Sequence, residues 1–197
     1  MELVFATHNL GKLQEVQRLI PKNIRLLSLD DIGCNEEIPE NGLTLKENAL
    51  AKALFVKDTY GKDCFADDTG LLVDALGGAP GVWSARYAGP EKDPVQNLHK
   101  LLIELKVESK RTARFKTTIA LILHGETHFF SGVAEGTIVK TPMGSAGFGY
   151  DPVFQPAGES RTFAQMTLEE KNIISHRGKA LEKLSRHLLE AVQTGLK

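Results

Sequence analysis

The sequence predicts an α/β protein, on three observations. A mostly apolar pentad at the N-terminus passes through a polar turn into a helical pattern, two Thr-x-x-Glu capping boxes open helices further on, and one long segment alternates apolar and polar residues. Taken in order, Glu2-Leu3-Val4-Phe5-Ala6 is a short buried strand. After Thr7-His8-Asn9, the helical spacing of Leu13, Val16, Leu19 and Ile20 continues until Pro21 stops it. Residues 24–29 read as a second strand, and the polar loop 30–43 leads to a helix whose start is set by Thr44-Leu45-Lys46-Glu47. A third strand near 63–67 runs into Asp67-Asp68-Thr69-Gly70, which reads as its end, before a Gly/Pro-rich turn at 77–81. A helix is expected at about 94–106. From Arg111 to His124, Ala113, Phe115, Thr117, Ile119, Leu121 and Leu123 share one face of a long strand, with 126–139 as its hairpin partner. Residues 141–152 read as loop, and Thr167-Leu168-Glu169-Glu170 opens a short helix. Ser175 starts a terminal helix with Leu181, Leu184, Leu188 and Val192 at helical spacing.

Composition narrows the function. The 197 residues suit one domain, residues 1–197, with room for two lobes; 42% are hydrophobic and 25% charged, which excludes a disordered or collagen-like chain. Lys+Arg 24 against Asp+Glu 25 leaves a net charge of −1, so no overall field holds a nucleic acid. Arg114, Lys116, Lys110 and Arg111 around Phe115 read as a solvated strand face rather than a nucleic-acid patch. Cys34 and Cys64 form neither a disulfide framework nor a zinc motif, so a reducing, cytoplasmic setting is expected. The apolar stretch from Thr117 to Gly125 is far shorter than the ~18 residues of a membrane span, and Glu2 without a basic segment argues against a signal peptide.

Several segments carry chemistry. Strand, then Thr7-His8-Asn9-Leu10-Gly11-Lys12 at a helix start, outlines a phosphate site, though from spacing alone an N-cap Asn9 and a surface Lys12 are the simpler reading. It is not a Walker A loop. Asp67-Asp68 at the end of an apolar strand is costly to bury without a cation, and Glu40 offers a further carboxylate. Hard oxygen ligands suit Mg²⁺; the competing reading is a surface turn capped by Thr69. Lys52 lies at the edge of the stripe Leu45, Ala49, Ala53, Val56, either snorkelling or binding an anion. Gly144, Gly147 and Gly149 surround Phe148 and lead to Tyr150-Asp151-Pro152, a ligand loop with a stacking face or a plain tight turn. Lys171 follows a capping box, and Ser175-His176-Arg177 sets cationic groups at a helix start, against the macrodipole.

In order and wording these segments resemble the inosine triphosphate pyrophosphatase family, which hydrolyses noncanonical purine nucleoside triphosphates. The resemblance rests on Thr7 to Lys12, Glu40 to Thr44 with Glu47-Asn48-Ala49, Ala66 to Leu71, Gly77 to Tyr87, Gly147 to Pro152 and Ser175 to Gly178. Small departures are His8, Thr69 and Tyr150, none of which removes a group that the chemistry needs. The resemblance implies an elongated mixed sheet flanked by helices, with an active-site cleft between two lobes. It implies conversion of ITP, dITP and XTP to monophosphate plus pyrophosphate by a cytosolic, Mg²⁺-dependent homodimer. Carried over by position, Thr7, His8, Asn9, Leu10, Gly11, Lys12 and Lys52 hold the triphosphate. Glu40 and Asp68, with Asp67 as a further candidate, serve the metal, and Asp68 is the general base. Thr69 touches substrate, while Phe148, Gly149, Tyr150, Asp151, Lys171, His176 and Arg177 surround base and sugar. Donor-only Lys171 and Arg177 would then pair with O6 of hypoxanthine and oppose the amino group of adenine. Trp83, Ser84 and Arg86 take no role beyond shaping the cleft or dimer. Alternatives are a related pyrophosphatase acting on modified pyrimidine or methylated guanine nucleotides, and a non-catalytic nucleotide sensor.

Overall fold

The computed structural model describes residues 1–193, the side chains of Val192 and Gln193 excepted, so the place expected for Val192 lies outside the described residues. In chain order the elements are β1 (Glu2–Phe5), α1 (Leu10–Gln17), β2 (Arg25–Leu27), α2 (Leu45–Tyr60), β3 (Cys64–Val73), β4 (Pro80–Gly81), α3 (Pro94–Glu104), β5 (Thr112–Leu123), β6 (Glu126–Ile138), β7 (Phe154–Pro156), α4 (Leu168–Ile174) and α5 (His176–Gln193). The strands form a mixed sheet in the order β2-β1-β3-β5-β6-β7, with β4 paired to β3. The chain divides into two units, one of residues 1–68, 117–132 and Arg177 onward, the other of residues 69–116 and 133–176.

In the first unit β1 pairs in parallel with β2 and β3, with Leu3 opposite Leu26 and Phe5 opposite Phe65. Successive side chains point to opposite faces, which builds two cores. Leu3, Phe5, Phe65, Ile119 and Leu121 pack with Val16 of α1 and with Leu181, Leu184 and Leu188 of α5. Val4, Ala6, Cys64, Ala66, Ala120 and Ile122 pack with Ala49, Ala53 and Val56 of α2. The far half of β5 is therefore buried on both faces, not the single face expected, because helices cover both sides of this sheet. His124 (φ 51) and Gly125 (φ 85) make the two-residue turn from β5 to β6, whose positive φ angles match hairpin twist.

In the second unit Leu71, Val73, Leu101, Leu105, Phe115, Phe154, Phe163 and Met166 form the core. Ser84 ties this unit's part of β3 to the following turn: its Oγ accepts from the Leu71 N–H at 2.9 Å and donates to the Gly81 carbonyl at 2.6 Å. The Tyr150 hydroxyl donates to the Ser84 carbonyl at 2.9 Å. Arg114, half-exposed, pairs with Asp74 and Glu135, as a solvated strand face requires.

Several features differ from those expected. The helix α1 ends at Gln17, β2 is only Arg25–Leu27, and the short β7 lies beyond the loop 141–152. More consequentially, β3 does not end at Asp67 but continues to Val73. Asp, Asp and Gly are poor strand residues, so local preference stops the strand early; partners from distant helices make it tolerable.

Candidate active site

The chain leaves β1 through Ala6-Thr7-His8 and enters α1. Thr7 Oγ1 accepts from the Asn9 N–H at 3.1 Å, and Asn9 Oδ1 accepts from the Lys12 N–H at 3.0 Å, so Asn9 is the N-cap. Lys12 does not lie on the surface: its Nζ donates to Asp67 Oδ1 at 2.8 Å. His8 Nε2 sits 3.1 Å from the Glu36 carbonyl, while Leu10 and Gly11 form the first turn, Leu10 exposed.

Asp67 and Asp68 are 2% and 7% exposed, which excludes a surface turn. Their position within a strand also settles how adjacent acids coexist, because alternation sends them to opposite faces of the sheet. Asp67 shares the face of Phe65 and meets α1 and α5: Lys12 takes Oδ1, and Arg177 Nε donates to Oδ2 at 3.0 Å. Arg177 Nη1 also donates to Glu15 of α1. Asp68 shares the face of Ala66 and meets α2, where Asn48 Nδ2 donates to its Oδ2 at 3.0 Å. One helical turn further along α2, Lys52 Nζ donates to the Asp67 carbonyl at 2.7 Å and to Glu40 Oε1.

The electrostatics separate the two acids. Burial works against ionising Asp67, but Lys12, then Arg177 and Lys52, outweigh it and hold the carboxyl far below the usual range. Burial dominates at Asp68 and raises it; Lys52 and Lys12 offset part of this, and Glu40 adds to it. Burial lowers Lys12 despite Asp67. It also opposes the charge on Lys52, where Glu40, Asp68 and Asp67 prevail and raise the ammonium above the ordinary lysine range. The centre thus holds one carboxylate whose charged form its cationic neighbours favour and a second whose charged form burial opposes.

The second unit holds another buried pair. Lys171 Nζ donates to Asp151 Oδ2 at 2.6 Å and lies 4.9 Å from the Phe148 ring centroid. The Phe148 N–H donates to the same oxygen at 2.8 Å, so the glycine loop is wound around this carboxylate. Gly147 (φ +75) has to be glycine, since a Cβ there would stand 2.1 Å from Asp151 Oδ2. His176 stacks on Phe115 with centroids 4.6 Å apart. Gly149 has φ +61, Tyr150 is buried, and Thr69 follows Asp68 in β3, half-buried.

The first unit thus assembles Lys12, Lys52, Glu40, Asp67, Asp68 and Arg177, and the second assembles Phe148, Asp151, Lys171 and His176. Glu15 escaped the sequence reading, and Asn48, although within the block Glu47-Asn48-Ala49 that carries the resemblance, takes no role there. The signal for their roles is spacing: Glu15 stands three residues after Lys12 beside the apolar Val16, and Asn48 stands four before Lys52 in the stripe of Leu45 and Ala49.

A mixed sheet with two carboxylates, two lysines and an arginine gathered at one strand defines an α/β protein with a buried ionic centre. The chain belongs to the Ham1 family, whose model matches residues 3–187. It is 56% identical over 188 residues to the dITP/XTP pyrophosphatase of Christiangramia forsetii, an alignment covering 95% of this chain and 99% of that one. It is 48% identical over 194 residues to the dITP/XTP pyrophosphatase of Bacillus subtilis, covering 96% and 98%. Among solved structures, a HAM1 protein from Coxiella burnetii matches with a TM-score of 0.89 at 40% identity, over 97% of this chain and 100% of that one. The family resemblance and the mixed sheet flanked by helices are thereby borne out. No helix among the described residues is long and apolar enough to cross a membrane.

Proposed function

We propose that this protein hydrolyses the triphosphates of non-standard purines, ITP, dITP and XTP, to the monophosphate and pyrophosphate. One observation carries the reading: a buried Asp68 stands with Glu40 and two lysines in a chain whose near relatives, matched over nearly their full length, are dITP/XTP pyrophosphatases.

Glu40 and Asp68 fit Mg²⁺. Both offer hard oxygens, and the charge of Glu40 adds to the strain on ionised Asp68, which a divalent cation relieves. Among the described residues, no group of three or more His, Cys, Asp or Glu is set to hold a metal. Mg²⁺ commonly takes one or two carboxylates and fills its remaining positions with water and substrate phosphates. When bound it supplies positive charge to the phosphates and acidifies water.

The residues then divide the work. Asp68 orients the attacking water and takes its proton as the water adds to the α-phosphorus. Lys12, Lys52 and the N–H groups at the start of α1 neutralise the charge that grows on the leaving pyrophosphate. Asp67 holds Lys12 in place, and Arg177 braces Asp67. Phe148 stacks on the base, and Lys171 and His176 donate to O6, with Gly149, Tyr150, Asp151 and Thr69 completing the substrate contacts. The same reading makes the protein a cytosolic homodimer, which sedimentation equilibrium checks.

The test is release of pyrophosphate from ITP, dITP and XTP with Mg²⁺, compared with ATP and with methylated guanine and modified pyrimidine triphosphates. Preference for the last two groups would support the related-pyrophosphatase alternative; binding without turnover would indicate a sensor.

A further inference from the structure

Asn48 is 1% exposed in the first turn of α2, where a buried polar side chain requires partners on both of its ends. It has them. Nδ2 donates to Asp68 Oδ2 at 3.0 Å, and Oδ1 accepts from the Gly42 N–H at 2.7 Å. The partners dictate the amide's orientation, because a backbone N–H only donates and an ionised carboxylate only accepts. A side-chain amide supplies both a donor and an acceptor at this reach; a carboxylate at 48 would lose the donor, and a methyl group would lose both.

The loop is shaped to meet it. A Cβ on Gly42 would stand 2.7 Å from Asn48 Oδ1 and 2.7 Å from Glu47 Cβ, so residue 42 is glycine for closeness. Next to it the Leu43 N–H donates to Glu47 Oε2 at 2.7 Å, and Thr44 Oγ1 caps α2 through the Glu47 N–H. Two residues upstream is Glu40. Lys52 holds Glu40 through its carboxylate, the group that would turn to a metal, whereas the Gly42–Asn48 bond involves only backbone and amide and survives that exchange.

We infer that Asn48 is the positioning residue of this centre: its amide ties the loop carrying Glu40 to the strand carrying Asp68 and sets how the two carboxylates present themselves to a divalent cation. The inference rests on the function proposed above. Outer partners that orient metal-binding carboxylates are commonly worth about 10–100-fold in metal affinity.

Mn²⁺ binding, read by electron paramagnetic resonance on the full chain, gives a measure separate from turnover. Asn48→Ala is expected to raise the Mn²⁺ Kd by about tenfold or more. Its kcat with ITP should fall even at saturating Mn²⁺, while KM for ITP changes less. Gly42→Ala keeps the amide but drives a methyl group into Asn48 Oδ1, breaking the contact between loop and amide, and it should weaken Mn²⁺ in the same direction. Far-UV circular dichroism establishes that each variant is folded; if Asn48→Ala is not, Gly42→Ala decides by itself. Folded variants with wild-type Mn²⁺ affinity and kcat, whatever their melting temperature, overturn the inference and leave the function intact. A wild-type protein that neither binds Mn²⁺ nor releases pyrophosphate from ITP sinks the functional reading and this inference with it.

Discussion

Arg177 donates through Nε to Asp67 Oδ2 at 3.0 Å, and each side chain is only 2% exposed. With Nη1 on Glu15 as well, the guanidinium is a strut between α1 and β3 on the side away from solvent. Arg177→Ala removes the guanidinium from two buried carboxylates, leaving Lys12 on Asp67; breaking a buried pair in this way costs about 3–5 kcal/mol in comparable cases. The expected outcome is a large drop in unfolding free energy by urea titration, with the ITP/ATP ratio of kcat/KM unchanged in the folded fraction. A stable Arg177→Ala protein with a collapsed ITP/ATP ratio would return this side chain to base recognition.

The same network gives acid sensitivity. The folded pKa of Asp67 is depressed, so its contribution to stability is complete above the unfolded value of about 3.9 and is lost as pH falls towards the folded value. Asp67→Asn should therefore be less stable than wild type at neutral pH, and the gap should narrow below about pH 4. Urea midpoints across that range check it; a gap independent of pH would show that Asp67 does not act through its charge.

Asp68 has the opposite sign. Its folded pKa is raised, first by burial, so it favours the folded state below its unfolded pKa and loses that contribution as pH rises through the folded value. In metal-free neutral buffer Asp68→Asn should therefore raise Tm. Turnover should fall by about 10²–10⁴-fold, the span of a positioned base. A variant with wild-type turnover would remove Asp68 as the base.

Gly147→Ala tests the loop around Asp151. The added methyl collides with the carboxylate that holds the Phe148 N–H and Lys171. We expect KM for ITP to rise by about tenfold, equivalent to about 1.4 kcal/mol of binding, with kcat less affected. Unaltered KM in steady-state kinetics would detach this loop from substrate binding.

Hydrolysis in ¹⁸O-water reports the bond cleaved. Attack at the α-phosphorus places the label in the monophosphate, read by mass spectrometry. Label in pyrophosphate, or a diphosphate intermediate with free phosphate, would mean that the triphosphate binds in another register.

Much of this molecule is written in short stretches of sequence. The Asn9 and Thr44 caps, the capping box at Thr167, the long hairpin of β5 and β6 and the loop 141–152 all follow from residues within a few positions of one another, although Glu47 reaches back to the Leu43 N–H and not to that of Thr44. The charged residues that meet in the buried centre are likewise visible in the sequence by type and order. Only the tertiary structure decided how far β3 runs, that Asp67 and Asp68 face opposite ways, and which groups neutralise them. Arg177 lies 110 residues from Asp67 and 162 from Glu15, and Asn48 lies 20 from Asp68. Propensities and caps act over a turn or a pleat, whereas a buried charge is tolerated only when folding brings an opposite charge or a donor to it. A sequence names the carriers of charge, and their pairing is set by the packing of α1, α2 and α5 on the two faces of one sheet.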